Sequence, residues 1–406
     1  RDGKHYTLIS YNSKNEAGDP NQDTYIMQFD ENNNMIHDTH LKVADKNMRR
    51  LGLLDACETE DNLIMLLLKG ANATSPKSKT TSKAVYLAAV TFDKNATNLE
   101  NINYPGATNL KDARMYFNPT TKQFLIFSKK ELPPDNQTKP FATAKNNETY
   151  HHKIYKTNYN TNSKLSQTTL LSSPALSSIA SRKYHKQGAL HLLPCQVSFS
   201  INGDYQVIYE EYYVRYGKNY SHGEPVSSGG GSGTAASAAN SSTATKFHKG
   251  DIGVVAYRTD NTEKGAIYIP KDHLIFNRME LDSYDYLHGS VPEMKRGSGV
   301  KSIFFLKHDG KSMILFNDEI ANPQRIAEGK KVKTITGTED CIGFFADLSG
   351  SDEMPLHQAV FSGDDKRPVG IFSASDYNPE QHLFITLKLD KAHPKKGVQV
   401  VGYKID

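Results

Sequence analysis

The sequence predicts an all-β protein, and three observations predict it. Tight-turn pairs such as Asp309-Gly310 and Asn202-Gly203 stand between runs of strand-forming residues. Such pairs are the strongest short-range signal of a β-hairpin, because a type I′ turn needs φ above zero at both central residues. Strand-like runs recur throughout the chain, whereas a helical pattern is weak and limited to short turns at 174–180 and 324–328.

The hairpin at Lys301 to Asp318 is the clearest unit, and similar units recur along the chain, most of them with a second strand pair. Four strands per unit, repeated at roughly fifty residues or more, are typical of a β-propeller, in which each blade is a four-stranded antiparallel sheet. Stacked blades bury both faces of a sheet, which explains why 64–69 is apolar on both sides. The six predicted units span about 5–43, 51–104, 113–171, 196–271, 301–363 and 369–406.

We therefore predict a single β-propeller domain over residues 1–406, with six blades favoured and seven as the alternative count. A pair of β-sandwiches or one large barrel stays open, because alternating strands and turns specify those folds as well.

Two inserts interrupt the repeat. Residues 226–245 are small and typical of a flexible linker, so we predict a loop inside the fourth blade, with an interdomain linker as the alternative. The second insert, 273–299, carries Tyr284, Tyr286 and His288. Segments of this length without clear strands are functional or disordered, and the aromatic content of this one favours order and a place among the ligand-binding candidates.

Charge and the length of apolar runs argue against two function classes, nucleic-acid binding and membrane-spanning proteins. Lysine and arginine number 49 against 45 aspartates and glutamates, a net charge of +4 without a basic block, so no nucleic-acid partner is predicted. No apolar run approaches the ~20 residues of a membrane-spanning helix. The chain begins at Arg1 without Met, from which we expect a processed or a truncated N-terminus, with a signal peptide or a lipid anchor compatible with the removed part.

No cofactor and no metal site is predicted. Cys57, Cys195 and Cys341 are odd in number and widely spaced, so they form no disulfide framework and no zinc motif. The sequence contains no phosphate-binding loop, no dinucleotide fingerprint, no H-E-x-x-H and no nucleophile elbow.

Four motifs in the fourth and fifth units carry a family resemblance: 208–217, 250–257, 267–271 and 314–323. They contain a Glu with paired Tyr before a long insert, an Ile-Pro-Lys, and a Phe-Asn-Asp with a later Asn. In this the chain resembles a group of uncharacterised, exported, propeller-like proteins of Bacteroidetes. The resemblance implies a cell-envelope location, in the periplasm or on the surface of a Gram-negative bacterium, and it implies no activity.

The first candidate site residues lie in the fourth unit. Glu210 and Glu211 are adjacent on a predicted strand, so their side chains should point to opposite faces, with one facing inward. Beside tyrosines such as Tyr213, an inward carboxylate suits a carbohydrate site, or else it is a polar group that ties neighbouring blades. Lys271 follows a strand end, where it would meet an anionic group or lie in a solvated loop.

Asn317, Asp318 and Asn322 complete the candidates at the end of the fifth unit's hairpin. Their side chains suit the polar edge of a ligand or a cation. The structural alternative is that they hydrogen-bond their own turn.

Two function classes fit these residues. The first is a non-catalytic cell-envelope binding or scaffold protein, whose ligand is a glycan or a protein or peptide. The alternative is a polysaccharide-active hydrolase or lyase that uses carboxylates at the propeller channel. Two inward carboxylates about 5 to 10 Å apart in one pocket would favour the enzyme, whereas carboxylates buried between blades with backbone partners would argue against it.

Overall fold

The computed structural model confirms the all-β class. In the described residues 23 strands and two short helices form the fold. Neither helix has the length or the apolar character needed to cross a bilayer. The structure describes residues 5–11, 24–41, 48–59, 63–72, 82–91, 94–102, 110–131, 152–160, 163–171, 173–186, 190, 192–216, 245–275, 301–337, 341–350, 352–361, 368–389 and 398–405.

The strands form six antiparallel sheets that follow one another along the chain. Sheet 1 contains β1 (His5–Tyr11), β2 (Thr24–Asp30) and β3 (Met35–Leu41). Sheet 2 contains β4 (Met48–Glu58), β5 (Leu63–Asn72), β6 (Ser82–Thr91) and β7 (Lys94–Asn101). Sheet 3 contains β8 (Leu110–Asn118), β9 (Gln123–Glu131), β10 (His152–Asn160) and β11 (Leu165–Leu170).

The second half of the chain continues the same pattern. Sheet 4 contains β12 (Leu192–Phe199), β13 (Tyr205–Tyr216), β14 (Thr245–Tyr257) and β15 (Glu263–Ile269), and β16 (His273–Ile275) also pairs with β14. Sheet 5 contains β17 (Phe304–His308), β18 (Lys311–Glu319), β19 (Cys341–Asp347) and β20 (Gln358–Ala359). Sheet 6 contains β21 (Val369–Asn378), β22 (Leu383–Leu389) and β23 (Val398–Lys404).

Each predicted unit corresponds to one of these sheets, and among the described residues sheets 2, 3 and 5 have four strands, sheets 1 and 6 three, and sheet 4 five. One predicted strand, 331–337, is wrong, because this segment is irregular apart from a single parallel bridge between Ile335 and His273. Its backbone donors are taken by side chains: the Val332 N–H donates to the Tyr184 hydroxyl and the Lys333 N–H to Asn322 Oδ1. Donors satisfied in this way are unavailable to a strand ladder.

The turn chemistry agrees with the sequence at the clearest hairpin. Asp309 and Gly310 have φ of 44° and 78°, as a type I′ turn requires at both central residues. At Asn202-Gly203 only the glycine is left-handed, with φ of 85°, so this hairpin uses a different turn. Both pairs connect neighbouring antiparallel strands as predicted.

The two helices occupy the positions where short turns were expected. α1 (Pro174–Tyr184) extends beyond the predicted turn, and its first turn is capped by the Ser173 hydroxyl, which accepts from the Leu176 N–H. Leu176 packs on Gly253 of β14 so closely that a Cβ there would lie 2.2 Å from its Cδ2. The glycine therefore lets α1 dock on sheet 4, while α2 (Asn322–Ala327) follows β18.

Central strands bury both faces because each main core cluster joins two consecutive sheets. On β5, Leu66 packs with Ile26 of sheet 1, while the next residue, Leu67, packs with Phe124 of sheet 3. Successive residues of a strand point to opposite faces, so this alternation stacks sheet 2 between its neighbours. Further clusters join sheets 3 and 4, sheets 4 and 5, and sheets 5 and 6 in the same way.

The outward faces of the first and last sheets carry exposed apolar side chains. Tyr6, Leu8 and Tyr25 are exposed on sheet 1, and Val398 and Val400 on sheet 6. No core cluster among the described residues joins these two sheets. The stack therefore runs in order from sheet 1 to sheet 6 with apolar surface at both ends.

Candidate functional site

Charged and polar side chains are buried in and beside sheets 4 and 5, and we call this set the polar cluster. Such residues are seldom fully buried unless they are paired, so each of them needs a partner. All members are 5 % exposed or less. They are Glu210, Glu211, His248, Lys249, Asp251, Lys271, Asp272, His273, Lys301, Asn317, Asp318, Asn322 and His357.

Both glutamates of β13 are buried, so the prediction that only one faces inward is wrong. The exposed fraction is 0 % for Glu210 and 2 % for Glu211. A β-bulge between Glu210 and Tyr212 disturbs the pairing of β13 with β14. Sheet 4 is nevertheless covered on both faces, by sheet 3 and α1 on one side and by sheet 5 on the other, so side chains that point to opposite faces are both buried.

Glu210 forms an ion pair that is closed to solvent. Lys271 Nζ donates to Glu210 Oε1, and both side chains are fully buried. Lys249 Nζ lies 3.9 Å from the other carboxylate oxygen of Glu210. Lys271 reaches this position because it lies two residues beyond the end of β15, which pairs with β14 in the same sheet.

Glu211 shares a lysine with Asp251 of β14. Lys186 Nζ donates to both carboxylates, and Asp251 also accepts from the Tyr268 hydroxyl at 2.5 Å and the Lys271 N–H at 2.9 Å. Burial and the negative charge of Asp251 raise the pKa of Glu211 to about 7, against the opposing effect of Lys186. The two carboxylates therefore compete for one cation, and Glu211 retains a proton at mildly acidic pH.

The raised pKa of Glu211 predicts a pH dependence of stability. The folded state holds this proton between the ordinary pKa of 4.5 and about 7, where the unfolded chain has released it. The stabilisation is complete below pH 4.5 and is lost as the pH rises towards 7. We expect Glu211→Gln to flatten the free energy of unfolding against pH in this window, measured by denaturant titration. The exposed control Glu380→Gln should follow the wild-type profile, and a wild-type profile in Glu211→Gln would contradict the assignment.

Two histidines connect sheet 4 to its surroundings. His248 Nδ1 lies 2.7 Å from Asp272 Oδ1. Burial, and next the charge of Lys271, hold the pKa of His273 well below its usual range, so its neutral ring donates from Nε2 to the Asn317 carbonyl at 2.8 Å. The Asn317 amide in turn bonds both backbone groups of Gly370 in sheet 6. This chain of contacts ties three consecutive sheets.

Asp318 organises the end of the hairpin in sheet 5. It accepts from the Glu319 N–H at 2.9 Å and from Asn322 Nδ2 at 2.6 Å, and its second oxygen lies 3.0 Å from His357 Nδ1. Asn322 also bonds both backbone groups of Lys333. These contacts include the turn of Asp318 itself, as the structural alternative for these residues anticipated, and they extend to a distant segment as well.

The structure brings most of the sequence-predicted candidates together. Tyr213 lies on β13, but its side chain is outside the described residues, as are Tyr284, Tyr286 and His288 in 276–300. The six candidates in the polar cluster are Glu210, Glu211, Lys271, Asn317, Asp318 and Asn322.

Sequence reasoning missed the partners of these residues. Asp251 carries a detectable signal, since it is the acidic residue of β14 and directly precedes the apolar run 252–257. Lys186 has no such sequence signal, because it follows α1 and contacts Glu211 only through the tertiary fold. The histidines His248 and His357 are likewise brought in by sheet packing.

The cluster lies at the end of sheet 4 from which two undescribed segments depart. Residues 217–244 connect β13 to β14, and 276–300 connect β16 to sheet 5. A separate groove of about 290 Å³ lies between Gln206 on β13 and Glu353, and its lining includes no member of the polar cluster.

Comparison with known proteins does not assign the chain to a family. No family model and no curated protein matches the chain. Among solved structures, an acylaminoacyl peptidase of Pyrococcus horikoshii superposes with a TM-score of 0.40 at 6 % identity, over 98 % of this chain and 42 % of the peptidase. The chain therefore spans less than half the length of that protein.

Two further solved structures give likenesses of the same order. Polysaccharide lyase Uly1 has a TM-score of 0.40 at 8 % identity, over 99 % of this chain and 80 % of the lyase. The β-propeller domain of the Trilobed protease from Pyrococcus furiosus has a TM-score of 0.29 at 9 % identity, over 99 % and 90 % of the two chains. Scores this low carry no argument about the activity of this chain.

Proposed function

We propose that this chain is a non-catalytic binding or scaffold protein, built as a six-bladed β-propeller, whose partner is a glycan or a protein or peptide. The stacking of six sheets in chain order supports the blade arrangement, since each sheet covers the next. Closing the ring would cover the apolar faces of sheets 1 and 6. The family resemblance supports an exported protein in the periplasm or on the surface of a Gram-negative bacterium.

The non-catalytic function rests on one observation, the burial and ion pairing of Glu210 and Glu211. Both are buried, and each accepts a hydrogen bond from a lysine ammonium. Most glycoside hydrolases need a carboxylic acid and a carboxylate on either side of the scissile bond. Carboxylates locked in ion pairs do not meet that need, and here they hold the strands of sheet 4 and the end of α1 together.

A second candidate function, a polysaccharide hydrolase or lyase, is favoured by one specific contact. Glu211 and Asp251 share Lys186, whose side chain is 23 % exposed, so the pair lies near solvent on that side. A carboxyl with a pKa of about 7 suits a general acid. In this alternative Glu211 protonates the leaving group and a second carboxylate completes the reaction.

One experiment separates the two functions. We expect the wild-type protein to bind a subset of a glycan array, or a peptide library, without turning over polysaccharides. Glu210→Gln and Glu211→Gln are assayed alongside, with the exposed Glu380→Gln as the matched control. Turnover that is lost only in Glu211→Gln would replace the binding proposal with the enzyme, and neither binding nor turnover would overturn both.

A further inference from the structure

Three metal-ligating side chains lie together where the turns of sheets 5 and 6 meet, outside the polar cluster. His308 ends β17, Asp309 begins the hairpin turn, and His382 directly precedes β22. One potential ligand atom of each residue lies within 4.8 Å of the other two. His308 Nε2 is 3.4 Å from Asp309 Oδ2, and the rings of His308 and His382 have centroids 4.5 Å apart.

We propose that His308, Asp309 and His382 bind a first-row divalent transition metal, with Zn²⁺ as the first ion to test. Two imidazoles and one carboxylate form a donor set that zinc accepts, with a water molecule as the fourth ligand. Calcium and magnesium prefer oxygen donors alone, so the two histidines disfavour them.

A neighbouring hydroxyl fixes which nitrogen of His308 faces the metal. The Tyr377 hydroxyl is hydrogen-bonded to Nδ1 of His308, which leaves Nε2 on the side of Asp309. Ligating histidines in proteins almost always use their second nitrogen in this way, which orients the ring and raises its basicity. With metal bound, Nδ1–H donates to the tyrosine oxygen.

The backbone holds the two other ligands in fixed turns. Asp309 and His382 are left-handed, with φ of 44° and 52°. Non-glycine residues rarely adopt this conformation, although aspartate and histidine do so more often than most. His308 is buried, whereas the Asp309 side chain is 75 % exposed, so the site opens to solvent on one side and an ion can enter from water.

The site would connect two consecutive sheets. His308 and Asp309 belong to sheet 5 and His382 to sheet 6, and a bound ion adds its binding free energy only to the state in which both turns are in place. Metal uptake therefore stabilises the junction of these sheets, and it weakens at acidic pH because both histidines must be neutral to bind.

The test uses full-length protein that carries no polyhistidine tag and has been stripped of metal with a chelator. We expect Zn²⁺ to bind in isothermal titration and to raise Tm, and Co²⁺ to give the visible absorption of a low-coordinate site. His382→Ala and Asp309→Asn, both at exposed positions, should each weaken Zn²⁺ binding by at least about tenfold. His308 is left in place because its side chain is buried.

The control is His185→Ala, an exposed histidine at the end of α1 that shares a φ of 52° with His382. It should bind Zn²⁺ as the wild type does. Absence of Zn²⁺ uptake, or equal affinity in the wild type, His382→Ala and Asp309→Asn, would overturn the assignment.

Discussion

Replacing Lys271 by methionine is expected to lower the free energy of unfolding by about 3 to 5 kcal/mol, because the variant leaves the buried carboxylate of Glu210 without its hydrogen-bonded cation. Methionine keeps most of the side-chain volume, so the loss reports charge and not packing. Lys249, 3.9 Å from Glu210, offsets part of the effect and holds it towards the lower value. Denaturant titration followed by circular dichroism measures the change.

Two further variants separate this effect from a general cost of mutating lysine. The double variant Glu210→Gln with Lys271→Met removes both charges and should recover most of the loss, since removing both partners of a buried pair is often close to neutral. Lys264→Met breaks the exposed pair with Asp204 in the same sheet and should cost less than about 1 kcal/mol. A loss at Lys271 no larger than that at Lys264 would contradict the buried ion pair.

The fold was largely predictable because its signals are local. The Asp309-Gly310 pair predicts a turn that needs two left-handed residues, and both φ values meet that requirement. The run 64–69 is apolar on both faces of the strand, which predicts a sheet that is covered on two sides. Its residues do pack against sheets 1 and 3. The segment 331–337 has the same strand-like composition, but its donors bond distant side chains that no local pattern reveals.

The sequence identified several residues of the candidate site, but it did not predict their burial or the ion pairs that they form. Glu210 and Glu211 stand out because charges are rare in a central strand, yet face alternation alone cannot show that sheets 3 and 5 cover both faces of this strand. Their cations come from the end of α1 and the end of β15, far away in the sequence. At the turns of sheets 5 and 6, His382 likewise lies more than 70 residues after His308 and Asp309, a spacing that matches no sequence motif.

Replacing Phe316 by alanine is expected to cost about 3 to 5 kcal/mol, because it leaves a cavity in the interface of sheets 4 and 5. Phe316 is fully buried on β18, packs in one cluster with Ile208 and Ile252 of sheet 4, and meets the His357 ring edge-on at 4.7 Å. The exposed Ile320, one residue beyond the same strand, gives the matched control. Ile320→Ala should change stability by less than about 0.5 kcal/mol.

The strands that Phe316→Ala destabilises show whether the sheets unfold independently or together. Sheets that contact only their neighbours have stabilities that add from one interface to the next. Phe316→Ala should therefore speed amide hydrogen exchange on β13 and β18, the two sides of the cavity, more than on β5 in sheet 2. Equal acceleration on all three strands would mean that the six sheets unfold as a single unit, and the tie between Asn317 and Gly370 would then serve the whole stack and not only the junction of sheets 5 and 6.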